Sequence, residues 1–353
     1  MRYHSFRPGK VWLDTEGKRI QAHGGSVCFI DGTYYWYGEN KEKTTGDCPI
    51  WHWGVRCYTS KDLYNWEDQG IIIPPEPENP DSPLHPYAHM DRPHIIYNED
   101  TKKYVCWLKI MGKGDSQTET ILTADHILGP YTKVRENLKP LNMNAGDFDL
   151  AVAEDGKAYY YFERVHSELI CADLTADYTD VTGYYTTHFP LVSPPFVREA
   201  PAHFKRKGKH YLITSGTTGY LPNPSQAAIA DTWHGPFRVL GNPHVGDDSN
   251  TSFHSQISSI FKVEGKKDLY IACADRWLPE MMDLNYEIYG KLFQNAFDLE
   301  KRSEETIQAM AGYVGNDSCR NTAIADYVWL PLRFDGEQVW IDWHDEWKIE
   351  DYE

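Results

Sequence analysis

A strand–turn–strand unit that recurs five times constrains this chain more than any other feature. In one copy, Arg198-Glu199-Ala200-Pro201-Ala202-His203-Phe204 sets a carboxylate just ahead of an apolar run. A basic turn follows, and Lys209-His210-Tyr211-Leu212-Ile213-Thr214-Ser215-Gly216 alternates back toward small residues. Alternation with a period of two on both sides of a turn is the signature of an antiparallel hairpin. The other copies are Ser26–Ile30 with Thr33–Gly38, joined by Asp31-Gly32; Arg92–Tyr97 with Lys103–Leu108; Phe148–Val152 with Ala158–Phe162, joined by Asp155-Gly156; and Gln256–Phe261 with Asp268–Cys273.

First strands begin near Gly24, Asp91, Asp147, Glu199 and Gln256. Their spacing of roughly 50–70 residues matches the blades of a propeller. Leu122-Thr123-Ala124-Asp125 with Gly129-Pro130-Tyr131, and Ala228-Ile229-Ala230-Asp231 with Gly235-Pro236-Phe237, read as matched outer-strand signatures. The expected fold is all-β, a five-bladed β-propeller occupying residues 1–353 as one domain, with a β-sandwich as the rival. The segment from about 281 to 324 departs from the pattern. Tyr286, Ile288, Tyr289, Leu292, Phe293, Phe297 and then Glu304–Met310 follow helical spacing, so a helical insertion in the last blade is expected.

Composition narrows the partners. A net charge of −17 over 353 residues argues against nucleic acid or an anionic membrane and suits a small neutral ligand. The 24 tyrosines and 12 tryptophans suit both strand cores and sugar-binding clefts. Seven cysteines at irregular spacing, several inside strands, and no apolar leader in Met1–Pro8 point to reduced thiols and a cytoplasmic location. The histidines show no tight metal spacing, so no cofactor is required, although a cation on the propeller axis stays open. Asn250-Thr251-Ser252 and Asn316-Asp317-Ser318 match glycosylation sequons that a cytoplasmic chain would not use.

The first residue of each inner strand faces the central funnel of a propeller. In order these are His23-Gly24-Gly25, Asp91, Asp147, Glu199 and Gln256. Several polar groups around one axis are costly to bury unless a ligand or a tight network uses them. The runs Ala22-His23-Gly24-Gly25, Tyr34-Tyr35-Trp36-Tyr37-Gly38-Glu39, Gly146-Asp147, Arg198-Glu199-Ala200-Pro201, Thr214–Tyr220, Phe253-His254-Ser255-Gln256 and Ala274-Asp275-Arg276-Trp277 resemble family-43 glycoside hydrolases, and within them the exo-β-1,3-galactanases. The similarity runs from about Ala22 to Trp347, outside the insertion.

The resemblance implies an inverting exo-glycosidase acting on a small oligosaccharide. It implies Glu199 as general acid, Asp147 as the companion that raises its pKa, and Gln256 as the group that positions water. The first-blade Asp base usual in the family is absent here, its place falling in His23-Gly24-Gly25. Glu39 and Asp91 are expected to accept hydrogen bonds from sugar hydroxyls, or else to form an inner-strand salt bridge, with Arg92 as the candidate partner. Tyr220 and Trp277 are expected to stack on the sugar, and Trp51 and Trp53 to narrow the pocket. Arg276 is expected either to present its guanidinium to Glu199 or Gln256 or to lock its blade. A β-xylosidase or α-L-arabinofuranosidase and a catalytically silent sugar-binding propeller are the rival functions. Oligomeric state is not addressed by any of these residues.

Overall fold

The computed structural model describes all residues except 1, 48, 113–115, 191–192 and 316–319. The second sequon, Asn316-Asp317-Ser318, lies outside the described residues.

The five repeats form five sheets, antiparallel but for one short parallel pair in the last, as expected for a five-bladed propeller. The first holds β1 (His23–Ile30), β2 (Thr33–Glu39), β3 (Val55–Ser60) and β4 (Glu67–Ile73). The second holds β5 (His89–Asn98), β6 (Lys103–Met111), β7 (Gln117–Ala124) and β8 (Thr132–Leu138). The third holds β9 (Ala145–Val152), β10 (Ala158–Arg164), β11 (Glu168–Leu174) and β12 (Val181–His188). The fourth holds β13 (Glu199–Arg206), β14 (Lys209–Ser215), β15 (Gln226–Ala230) and β16 (Arg238–Gly241). In each the strands lie side by side in chain order.

The last sheet differs. Its order is β17-β21-β20-β19-β18, with β17 (His244–Val245), β18 (Gln256–Lys262), β19 (Tyr270–Arg276), β20 (Asp326–Asp335) and β21 (Gln338–Asp342). The outer strand β17 precedes the inner strand β18 in the chain and pairs with β21 in parallel. The helical insertion falls between β19 and β20. It consists of α1 (Tyr286–Phe297), capped by Asn285, and α2 (Glu304–Val314), whose Ser303 and Thr306 form a capping box.

Inner strands are buried on both faces, as the apolar centres of β14 (Tyr211-Leu212-Ile213) and β19 (Tyr270–Ala274) reflect; outer strands such as β8 and β12 are polar and exposed. The ring closes through aromatic packing. Phe6 and Trp347 exchange backbone hydrogen bonds of 2.9 and 3.1 Å, and their rings stack at 4.3 Å. Trp12, Trp36, Trp66 and Trp329 fill the space between the first and last blades. Each fully buried aromatic contributes about 3 kcal/mol of transfer free energy, so this seam replaces a shared strand with side-chain packing.

One irregularity positions the site. Each hydrogen-bonded pair of first and second strands carries a register shift of one residue near the start of its first strand: between His23 and Ser26, Asp91 and His94, Ala145 and Phe148, Glu199 and Ala202, and Ile257 and Ser259. Such a bulge breaks the alternation that would send neighbouring side chains to opposite faces. Asp91 and Arg92 therefore face the same cavity. Arg92 and Ala200 take left-handed backbone at φ of 55° and 46°, a conformation costing about 1–2 kcal/mol in a non-glycine residue.

Candidate active site

A cavity of about 270 Å³ opens at the funnel where the bulged strands converge. Glu39, Asp91, Arg92, Lys109, Asp147, Glu163, Glu199 and Gln256 line it, with Trp51, Tyr220 and Trp277 as an aromatic wall. Exposure grades from floor to mouth. Glu39, Asp91, Arg92, Lys109 and Asp147 are buried, Glu199 and Gln256 are half-buried, and Gln117, His166 and Tyr220 stand at the rim.

The floor is a salt-bridge network. Asp147 accepts from Lys109 Nζ through Oδ1 at 2.6 Å and from the Arg92 guanidinium through Oδ2 at 2.8 Å. Burial alone would raise its pKa, but Arg92 and Lys109 outweigh it and hold the carboxyl well below the usual range. Asp147 is therefore an anion. Glu199 meets the opposite conditions. Loss of water raises its pKa first, and the charges of Asp147 and then Glu163 raise it further, so it stands well above the ordinary value against the pull of Lys109 and Arg92. Two carboxyls pushed apart in this way divide into a proton holder and a fixed anion.

Gln256 links the two. Its Oε1 accepts from the Arg92 guanidinium, and its Nε2 donates to Ser215 Oγ at 2.9 Å and to Glu199 Oε1 at 3.3 Å. Glu39 accepts the Arg92 backbone N–H at 3.0 Å and pairs with the fully buried Lys41 at 2.8 Å. Burial and the charge of Asp91 raise the Glu39 pKa to about 7, against the lowering effect of Lys41.

The gap at Gly24 has a physical cause. A β-carbon at that position would lie 2.4 Å from Oε1 of Glu39, and the backbone is left-handed at φ 60°. Glu39 occupies the space a first-blade side chain would need. Blade three repeats the device: a β-carbon on Gly146 would lie 2.2 Å from Oε2 of Glu163. The Gly24 backbone N–H and the His23 ring both engage Asp275, at 3.0 and 2.9 Å, tying the first blade to the last.

Several expected residues sit elsewhere or act differently. Asp91 does not pair with Arg92. It accepts from Trp51 Nε1 at 2.7 Å and lies 3.5 Å from Lys109 Nζ. Arg276 lies outside the cavity lining. Its guanidinium donates to the Phe253 carbonyl at 2.9 Å and fills the space beside Gly9, which is the blade-locking arrangement and leaves Glu199 and Gln256 to other partners. Trp53 is also outside, covered by Lys43 Nζ at 3.3 Å, whereas Trp51, two residues earlier, forms the wall. Trp51 is held by its carbonyl, which accepts from Lys41 and Thr44, and stacks between His89 and Tyr220. Among the described residues no group of three or more His, Cys, Asp or Glu side chains is arranged to hold a metal.

Lys109, Glu163 and His166 are site residues that the pattern of first strands does not reveal. The signal for Lys109 and Glu163 lies in the second strands, whereas His166 sits in the turn between β10 and β11. Glu39 ends the aromatic run of β2, Glu163 follows the Tyr159–Phe162 run of β10, and Lys109 is the register partner of Asp91.

A buried anion and a carboxyl of raised pKa share one polar cavity with an aromatic wall, the arrangement that acid-assisted cleavage of a glycosidic bond requires. Residues 20–283 match the model for glycosyl hydrolases family 43, and the chain belongs to that family. Comparison with curated proteins finds no significant match. Among solved structures it is similar to a family-43 β-1,3-galactosidase at 28% identity and a TM-score of 0.79, covering all of this chain and 65% of the other. A second β-1,3-galactosidase, solved with galactodeoxynojirimycin, is 29% identical with a TM-score of 0.77, covering 98% of this chain and all of the other. An exo-β-1,3-galactanase from Clostridium thermocellum is 25% identical with a TM-score of 0.73, covering 97% and 66%. The chain therefore spans about two thirds of the first and third of these proteins and the whole length of the second. No described helix is long and apolar enough to cross a membrane.

Proposed function

We propose that this enzyme releases galactose from the end of short β-1,3-linked galacto-oligosaccharides with inversion. The observation that carries the reading is the charge division between Asp147 and Glu199 at the blind end of the cavity. Glu199 donates its proton to the departing glycosidic oxygen. Asp147, kept ionised by Arg92 and Lys109, adds like-charge repulsion to the loss of water that raises the Glu199 pKa, and both favour its protonated form. The terminal sugar enters the floor first, so attack on internal bonds is sterically blocked and the mode is exo.

An inverting displacement needs water on the face opposite the acid. Gln256 supplies the second lone pair of its carbonyl oxygen to that water, the first being taken by Arg92. The choice of galactose rests on the two β-1,3-galactosidases of 28% and 29% identity and on the lack of a first-blade carboxylate at Gly24. The five cysteines Cys28, Cys57, Cys106, Cys171 and Cys273 are free thiols, which suits a reducing compartment such as the cytoplasm.

Proton NMR of β-1,3-galactobiose hydrolysis tests the reading in one experiment. The expected first product is α-galactose, which then mutarotates. Release of β-galactose first would sink the inverting assignment, and a faster release of xylose or arabinose from the matching glycosides would favour those rivals.

A further inference from the structure

The helical insertion of the last blade reaches across the cavity mouth. Its α1 helix packs Tyr289 and Phe293 against the loop that carries Leu221 and Tyr220, and against Trp277. The hydroxyl of Tyr289 donates to the Pro222 carbonyl. The last residue of α1, Phe297, meets the His166 ring edge-to-face at 6.1 Å. His166 belongs to the β10–β11 turn of the third blade, so one insertion braces rim residues on two different blades.

His166 is set in place by its own blade as well. Its backbone N–H donates to Glu163 Oε1 at 2.8 Å, its ring Nδ1 lies 3.4 Å from the same oxygen, and its φ is 56°. Glu163 is buried, with 3% of its side chain exposed, whereas 37% of the His166 side chain faces solvent at the rim. Glu163 in turn raises the Glu199 pKa, which places this pair on the acid's side of the cavity.

A sugar whose terminal ring fills the floor must leave toward the mouth. The group that departs from Glu199 then lies against the rim, between His166 and Tyr220. We infer that His166, anchored by Glu163 and capped by Phe297, binds the leaving-group sugar, and that the insertion holds it in place to do so. With Nδ1 turned to Glu163, the imidazole offers a hydroxyl group a donor or acceptor at Nε2, and Tyr220 offers the sugar's apolar face a platform. This inference rests on the exo-galactosidase reading above.

The test compares two substrates with the same reacting sugar. β-1,3-Galactobiose carries a sugar leaving group, and β-galactosyl fluoride carries none. His166→Ala is expected to lower the ratio of kcat/KM for galactobiose to that for the fluoride at least tenfold. Phe297→Ala, which leaves every polar group in place, is expected to lower it at least threefold, and thermal denaturation checks that both variants fold. A ratio within twofold of wild type in both variants overturns the inference while leaving the galactosidase reading intact. A wild-type enzyme that cleaves neither substrate overturns both.

Discussion

The guanidinium of Arg92 donates to the amide oxygen of Gln256, and the same nitrogen donates to Asp147 at 2.8 Å. Because a guanidinium only donates, the amide atom facing it is the oxygen, and the NH₂ group faces Ser215 and Glu199. An imidic-acid tautomer would put a proton on that oxygen, directly against a cation. Gln256 therefore works as an amide, and Arg92 sets both its orientation and the charge of Asp147.

Replacing Arg92 should remove both functions at once. Arg92→Ala is expected to lower kcat by about 10²–10³-fold, the range seen when one preorganised hydrogen bond to a reacting centre is lost. Arg92→Lys keeps a charge without the planar fork and should recover only part of the rate. Added guanidinium ion should raise the rate of the alanine variant; no recovery in a folded variant would show that the orientation of Gln256 does not depend on this contact.

The pH dependence should follow the charge division. Activity requires protonated Glu199, so the rate falls as pH rises through its raised pKa. Asp147→Asn removes a like charge and leaves Arg92 and Lys109 uncompensated, and both changes lower the Glu199 pKa. The alkaline limb of kcat/KM should therefore move to lower pH. A limb that stays in place would separate Glu199 from Asp147.

Gly24→Asp restores a carboxylate to the blade where related enzymes are expected to carry a base. The structure predicts loss and not gain, because the β-carbon would meet Glu39 Oε1 at 2.4 Å in a left-handed backbone. Urea denaturation should show destabilisation of about 2 kcal/mol or more. An active, equally stable Gly24→Asp enzyme would contradict the placement of Glu39.

Trp51→Ala should act mainly on binding. It removes the donor to Asp91 and one of the three wall aromatics. Loss of a hydrogen bond to a charged group together with an aromatic platform corresponds to about 1–3 kcal/mol, or a rise in KM of roughly fivefold to 150-fold. Steady-state kinetics with a larger fall in kcat than rise in KM would assign Trp51 to the chemical step.

Ring closure should depend on the aromatic seam. Trp329 is 2% exposed, packs on Trp36 at 4.5 Å and accepts the Trp347 indole N–H through its carbonyl. Trp329→Ala is expected to cost about 3–5 kcal/mol in chemical denaturation. A cost below about 1 kcal/mol would mean that closure is held elsewhere.

Much of the fold was legible because hairpins are local. Alternation, Asp-Gly turns and a repeat of strand starts depend on residues a few positions apart, and the five units and the helical insertion emerge where that reading places them. Asp147, Glu199 and Gln256 were visible as polar residues at the starts of inner strands, and the structure brings them to one cavity. Lys109 was not visible, since within Lys103–Met111 it reads as a charge interrupting an apolar strand. Glu163 and His166 gave no sign of lying near Glu199, which is on another blade. Trp51 and Trp53 were indistinguishable in the same short loop; the buried cation of Lys41 sets one in the wall, and Lys43 covers the other.

The sequence by itself determined the blade repeat, the strand pairing within each blade and the residues that open each inner strand. These follow from side-chain periodicity and turn chemistry, whose range is a few residues. Only the tertiary structure decided which of those residues meet, which charges they carry and which atoms they turn toward one another. Ring closure brings blades together whose residues are far apart in the chain, and the one-residue bulges turn neighbouring side chains into the same cavity. Protonation depends on the water excluded and the charges gathered there, so it exists only once the ring has closed.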